Sequence, residues 1–140
     1  MQEFSATMNK ITLQPIGILH CGLTSTKQTP KNFTESTEEG VLEINEAYVE
    51  GLDGIEPGDT IIVLFWFHQA NRSLLTVHPR GDASRPKRGV FSTRSPARPN
   101  PIAVSELKVT SISHNKISVT GVDALDKTPV LDIKKYLYKN

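Results

Sequence analysis

Three short segments hold the side chains whose types and spacing suit them to chemistry. The first is Phe65-Trp66-Phe67-His68-Gln69, two hydrogen-bonding side chains at the end of the most apolar stretch. A histidine there is either a satisfied rim residue or a ligand-facing group able to exchange a proton near neutral pH. The second is GVFSTRSPARPNPI, Gly89–Ile102, in which Arg94, Arg98 and Asn100 stand among Pro96, Pro99 and Pro101. Prolines stiffen the chain and hold the neighbouring donors in place, and guanidinium forks grip carboxylate or phosphate oxygens, so this segment reads as a pre-organised polar ligand site. The third, Gly121–Ile133, sets Asp123, Asp126, Asp132 and the Thr128 hydroxyl around a turn. An aspartate at such a place either opens the turn or works as an acid or base.

Several chemistries lack their residues. Neither G-x-G-x-x-G nor G-x-x-x-x-G-K-[ST] occurs, so a Rossmann dinucleotide site and a P-loop are unsupported. There is no G-x-S-x-G elbow, and Cys21 beside His20 is too little for a nucleophile; Cys21 reads as an inert buried thiol. One cysteine and four scattered histidines make no metal cluster. Charge is more informative. The net charge of +1 conceals three Lys/Arg against ten Asp/Glu in residues 1–70, and thirteen against five in residues 71–140. Arg72, Arg80, Arg85, Lys87, Arg88, Arg94 and Arg98 fall in one stretch with Asp82 as its single acid. That stretch is either a solvated basic loop or a surface for phosphates, RNA or a phosphorylated ligand. Phe91 alone interleaves an aromatic ring, which is thin for single-stranded nucleic acid.

Short strands must position these groups. A chain of 140 residues is expected to form one domain, here residues 11–140 behind a flexible N-terminus of residues 1–10. The longest apolar run, Ile61–Phe67, is seven residues, far below the roughly 20 that span a bilayer. MQEFSATMNK lacks the basic and apolar regions of a signal peptide, so a soluble cytoplasmic protein is expected. Strands are expected over Ile11–Leu19 (interrupted at Pro15), Val41–Ile44, Thr60–Phe67 (buried on both faces or nearly so), Ser73–His78, Val90–Ser92, Ile102–Ile112, Lys116–Val122 and Val130–Ile133. The alternation of Ile102–Ile112 slips between Val104 and Leu107, as a bulge would produce. One helical turn is expected over Asn45–Leu52, with turns at Glu56–Asp59 and Ser113–Asn115 and a long loop over residues 20–40. About seven short strands with little helix indicate an all-β fold, a sandwich or compact β-barrel.

GVFSTRSPARPNPI and LDKTPVLDIKKYL resemble the signatures of the TsaA-like, or TrmO, family, and the likeness extends to Pro15-Ile16-Gly17, Val49–Ile55 and Phe67-His68-Gln69. The resemblance implies a compact, non-Rossmann β-barrel, usually homodimeric, that binds S-adenosylmethionine and needs no metal. It implies a tRNA methyltransferase acting on N6 of threonylcarbamoyl-adenosine at position 37, next to the anticodon. The S-adenosylmethionine site would draw on Lys27, Gln28, His68, Gln69, Arg94, Arg98, Asn100, Val104, Asp126, Thr128 and Pro129. The tRNA would meet Arg72, Arg80, Arg85, Lys87 and Arg88. Asp123, Asp126 and His68 are the candidates for accepting a proton, unranked. The first loop departs from the family pattern, reading His20-Cys21-Gly22-Leu23 and Thr26-Lys27-Gln28, and the C-terminal extension of longer members is missing. Lys127 stands where a glycine is usual, and lysine relieves a positive-φ turn poorly. Lys135 replaces the usual proline of the K-P-Y stretch. The alternatives are an S-adenosylmethionine-binding regulatory barrel without tRNA activity, or a methyltransferase of small molecules.

Overall fold

Strand alternation sorts the apolar residues into an inside and an outside. The computed structural model describes residues 10–23 and 37–137. Its strands are β1 (Gly17–Cys21), β2 (Glu39–Ile44), β3 (Thr60–Trp66), β4 (Thr76–Val77), β5 (Arg88–Gly89), β6 (Ile102–Ser113), β7 (Lys116–Thr120) and β8 (Pro129–Lys135). Six of these close a barrel in the order β1-β2-β7-β6-β3-β8, every neighbour antiparallel, while β4 and β5 form a separate two-stranded ribbon. Leu19, Leu42, Ile61, Val63, Phe65, Leu107, Val109, Ile117, Val119 and Val130 fill the interior, each no more than 1% exposed.

The all-β barrel is as expected, with eight strands rather than about seven. Several local features differ. β3 is not buried on both faces: Ile61, Val63 and Phe65 point inward, whereas Ile62, Leu64 and Trp66 are half-buried on the outer wall. A barrel has one interior, and alternate residues of each strand face away from it. The first strand starts at Gly17, beyond Pro15, because proline cannot donate to a ladder. Of Ser73–His78 only Thr76–Val77 pairs, and Val90–Ser92 is a 3-10 turn. Along β6 the pairing with β7 slips between Val109 and Ser111, not between Val104 and Leu107. The expected helical turn is a 3-10 helix, Glu46–Leu52, whose Asn45 cap accepts the Ala47 amide proton at 2.9 Å.

Strand direction divides the connections between two ends. Residues 45–59 and the His114-Asn115 hairpin join strands at one end. The connections β1–β2, β3–β6 and β7–β8 all lie at the other. The ladder closing the barrel is short: β1 meets β8 only through Gly17–Val130 and Ile18–Pro129. Backbone bonds from Lys127 to Leu19 (2.7 Å) and Asp126 to Leu23 (2.6 Å), with Leu19 donating to Thr128 (3.0 Å), extend this seam into the β7–β8 turn. Gly17 is required there, because a side chain would run into the Glu43 backbone carbonyl on β2.

Candidate functional site

Every described site residue except Val104 falls in, or at the edge of, the β3–β6 and β7–β8 connections at one barrel end. Lys27 and Gln28 lie outside the described residues. Val104 sits on the outer face of β6, 37% exposed.

Asp123 lies just past the end of β7, where the chain crosses this end of the barrel. Its Oδ1 accepts the Ser105 hydroxyl proton at 2.6 Å. Ser105 is 2% exposed, in phase with the inward Leu107 and Val109 of β6. One residue earlier on the same strand, the Val104 carbonyl accepts from Arg94 Nη2 at 2.9 Å. Adjacent β6 residues therefore hold the carboxylate and the guanidinium. Burial pushes the Asp123 carboxyl above the ordinary aspartate range, with the Ser105 hydrogen bond and the Arg94 charge acting in the opposite direction. Such a carboxylate suits proton transfer better than a fully solvated one.

Asp126 is differently employed. Its Oδ1 accepts the Cys21 amide proton at 2.9 Å, its own amide donates to Leu23, and Thr128 Oγ1 donates to the Leu125 carbonyl at 2.7 Å. Asp126 and Thr128 thus shape the turn that completes the seam, and Pro129 opens β8. Lys127 between them has φ 68°, the left-handed conformation for which glycine is the ordinary choice. The Cys21 thiol donates to Ala124 at 3.4 Å, and burial raises its pKa, which agrees with an inert role.

Arg98 donates to the carbonyls of Ser95 (2.8 Å), Val90 (3.0 Å) and Thr93 (3.4 Å), organising the loop around itself. Arg72 donates to Pro99 (2.7 Å) and to Asn100 Oδ1 (3.4 Å), and its guanidinium stacks 5.2 Å from the Trp66 ring centre. Arg72 and Asn100 accordingly tie the start of the β3–β6 connection to its end. His68 and Gln69 are exposed just after β3. Arg80, Arg85, Lys87 and Arg88 are exposed on and around the β4–β5 ribbon. Asp82 lies 3.6 Å from Arg85, and its carboxyl is held below the ordinary range by the Ser84 hydroxyl and amide. Among the described residues no cluster of three His, Cys, Asp or Glu is placed to hold a metal, and no helix is long and apolar enough to cross a membrane.

Ser105 is the site residue that motif reading misses. Its signal is a hydroxyl at an inward position of an otherwise aliphatic strand, which must find a buried partner.

Comparison with known proteins shows the family of the chain. Residues 18–140 match the family described as tRNA-methyltransferase O N-terminal domain. A probable S-adenosyl-L-methionine-binding protein of Methanocaldococcus jannaschii is 44% identical over 91% of this chain and 93% of its own length. An S-adenosyl-L-methionine-binding protein of Archaeoglobus fulgidus is 40% identical over 89% of this chain and 88% of its own. The crystal structure of TrmO from Pseudomonas aeruginosa superposes with a TM-score of 0.72 at 32% identity, covering 91% of this chain. This chain spans 56% of that longer one.

Proposed function

Because the chain belongs to the tRNA-methyltransferase O N-terminal domain family, we propose that it is an S-adenosylmethionine-dependent methyltransferase of tRNA, acting on N6 of threonylcarbamoyl-adenosine at position 37. The residues at the loop-bearing end suit such a cofactor. Phe91 and Ile102 are 78% and 41% exposed, offering apolar surface for an adenine ring. Arg94, Gln69 and Asn100 of the same connection offer polar groups for the ribose and amino-acid parts. When bound, S-adenosylmethionine supplies an electrophilic sulfonium methyl group. The chain's own work is then to align the acceptor nitrogen, exclude water and take a proton.

The observation that carries the catalytic reading is the Ser105–Asp123 pair beside Arg94. Of the three proton-acceptor candidates, Asp123 is the one held by a hydroxyl buried inside the barrel. Asp126 already closes the Cys21 turn, and His68 stands exposed. Asp123 takes the N6 proton as the carbon–nitrogen bond forms, and Arg94 limits the rise of its pKa. Arg80, Arg85, Lys87 and Arg88 meet tRNA phosphates. A second copy of the chain covers the apolar outer wall formed by Leu64, Trp66, Ile102 and Val104 and completes the pocket.

Incubation with S-adenosylmethionine and tRNA bearing the modified adenosine, followed by mass spectrometry of the nucleosides, tests the activity. A gain of one methyl group on that nucleoside is expected; none would leave the binding-only reading, which the relatives' names favour. Asp123→Asn should lower turnover about 10²–10⁴-fold with S-adenosylmethionine affinity retained. Turnover should rise with pH through the Asp123 pKa. Stability runs the other way: the folded pKa lies above the unfolded one, so this contribution is full at low pH and falls as pH rises through the folded value. The Asp123→Asn protein should therefore melt higher than the parent at neutral pH.

A further inference from the structure

We propose that Ser105 is a positioning residue for the methyl-transfer step: from inside the barrel its hydroxyl fixes Asp123 through Oδ1, so that Oδ2 receives the substrate proton. The inference rests on the reading of Asp123 as the base, and it adds a residue outside the recognised motifs.

The geometry makes Ser105 unusual among core residues. It pairs with Val63 across the β3–β6 ladder, and the neighbouring inward residues of its strand are aliphatic. An alanine at this position would need no partner, and an apolar residue in place of Asp123 would remove the desolvation of a carboxylate. A buried hydroxyl and a partly buried carboxylate cost stability relative to an apolar pair even where they bond to each other. Their pairing is accounted for by what the carboxylate does at the loop-bearing end. The hydrogen bond also restricts rotation about the carboxyl group, which a base needs if it is to meet an in-line complex without reorganising.

Ser105 bonds the carboxyl from inside the barrel, beside the Asp123 backbone amide and the Arg94 charge. Arg94 approaches from the β3–β6 connection, with its Nη2 donating to the Val104 carbonyl. In Asp123's own turn, Asp126 Oδ1 is committed to the Cys21 amide. From the β1 side the Cys21 thiol is turned to the Ala124 carbonyl, and the Glu38 carbonyl accepts the Gly121 and Val122 amide protons. The Glu38 carboxylate and Asp126 act on Cys21.

The test compares the parent with Ser105→Ala, Ser105→Thr and Asp123→Asn, using the full chain and modified tRNA at saturating S-adenosylmethionine. A hydrogen bond to the charged form holds a carboxylate pKa down, so removing it should move the acid limb of turnover up by about one pH unit. At neutral pH, Ser105→Ala should lose roughly tenfold or more in kcat, with KM for tRNA and S-adenosylmethionine affinity near parental values, and Ser105→Thr should restore most of the loss. Carbon-13 titration of the Asp123 carboxyl reads the same shift without turnover, and thermal melting separates misfolding from misplacement. An unchanged acid limb and an unchanged Asp123 titration in a folded Ser105→Ala protein would overturn the inference. If Asp123→Asn keeps parental turnover, the base assignment falls first and Ser105 falls with it. If Asp123→Asn is inactive while Ser105→Ala is indistinguishable from the parent, only the role of Ser105 is lost.

Discussion

The connection between β2 and β3, residues 45–59, carries five carboxylates and no lysine or arginine, whereas residues 67–101, between β3 and β6, carry seven basic residues and one aspartate. Both connections are held by side chains that accept backbone amide protons, and residues 67–101 add long donors. At the short-turn end, small acceptors serve amide protons: Asn45 takes that of Ala47, and Asp59 takes that of Glu56 at 2.9 Å. At the loop-bearing end, long donors serve carbonyls, as Arg98 and Arg72 do. A short reversal satisfies itself within a few residues; a long connection needs a reaching side chain to gather its carbonyls. Counting cations therefore overstates the surface available to phosphates. Arg72 and Arg98 are struts, which leaves Arg80, Arg85, Lys87 and Arg88 as the exposed cations on and around the β4–β5 ribbon, of which Arg85 already faces Asp82. The acidic opposite end repels a polyanion and so helps to orient it.

Four experiments would sharpen or break this contrast. The largest effect is expected at Arg94, where Ala should weaken S-adenosylmethionine binding by about 1.5–3 kcal/mol through loss of a charge-assisted hydrogen bond. Calorimetry measures it, and parental affinity would move Arg94 from ligand anchor to strut. Asp126→Ala should cost about 1–3 kcal/mol in denaturant unfolding, because the partly buried Cys21 amide loses its acceptor, while Asp123 chemistry persists in what remains folded. Arg85→Ala/Arg88→Ala should flatten the salt dependence of tRNA binding by about one unit per phosphate contact removed. Glu50→Gln/Asp53→Asn at the opposite end should leave that slope alone. Equal slopes in all three proteins would reduce the basic stretch to a solvated face. The smallest effect belongs to Lys127→Gly, which relieves the left-handed conformation and should stabilise the fold by up to about 1 kcal/mol, read as a shift in denaturant midpoint.

Local signals made much of this legible in the sequence. Asn45 before a helical turn, Glu56-Pro57-Gly58-Asp59 as a reversal and the Ser113–Asn115 hairpin all rest on neighbours in the chain, and each forms where expected. Lys127 in place of glycine marked its positive φ in advance. The apolar run of β3 misled, because Ile62, Leu64 and Trp66 have the same chemistry as Ile61, Val63 and Phe65 yet face outward. The slip on β6 lies several residues beyond its sequence signal for a related reason: alternation records side-chain burial, whereas the bulge belongs to pairing with β7. Within the site, residue types marked the three segments but not the division of labour. That Asp126 meets the Cys21 amide, and that Arg98 meets three carbonyls of its own loop, depend on folding that leaves no periodic trace. Ser105 left a weak trace, a polar residue at an inward position.

The seam between β1 and β8 sets the order in which the barrel assembles and comes apart. It joins residues from opposite ends of the described chain through two paired positions, so it carries the largest loop-closure entropy and the fewest ladder bonds. Closure is accordingly expected late in folding, with high contact order slowing the whole reaction, and the amides of Leu19 and Lys127 should exchange hydrogen before those of β3 and β6. The same turn that finishes the seam holds Asp126 and Thr128. A molecule seated against that turn would latch the last strand in place, and its affinity would be felt as slower unfolding of the entire barrel.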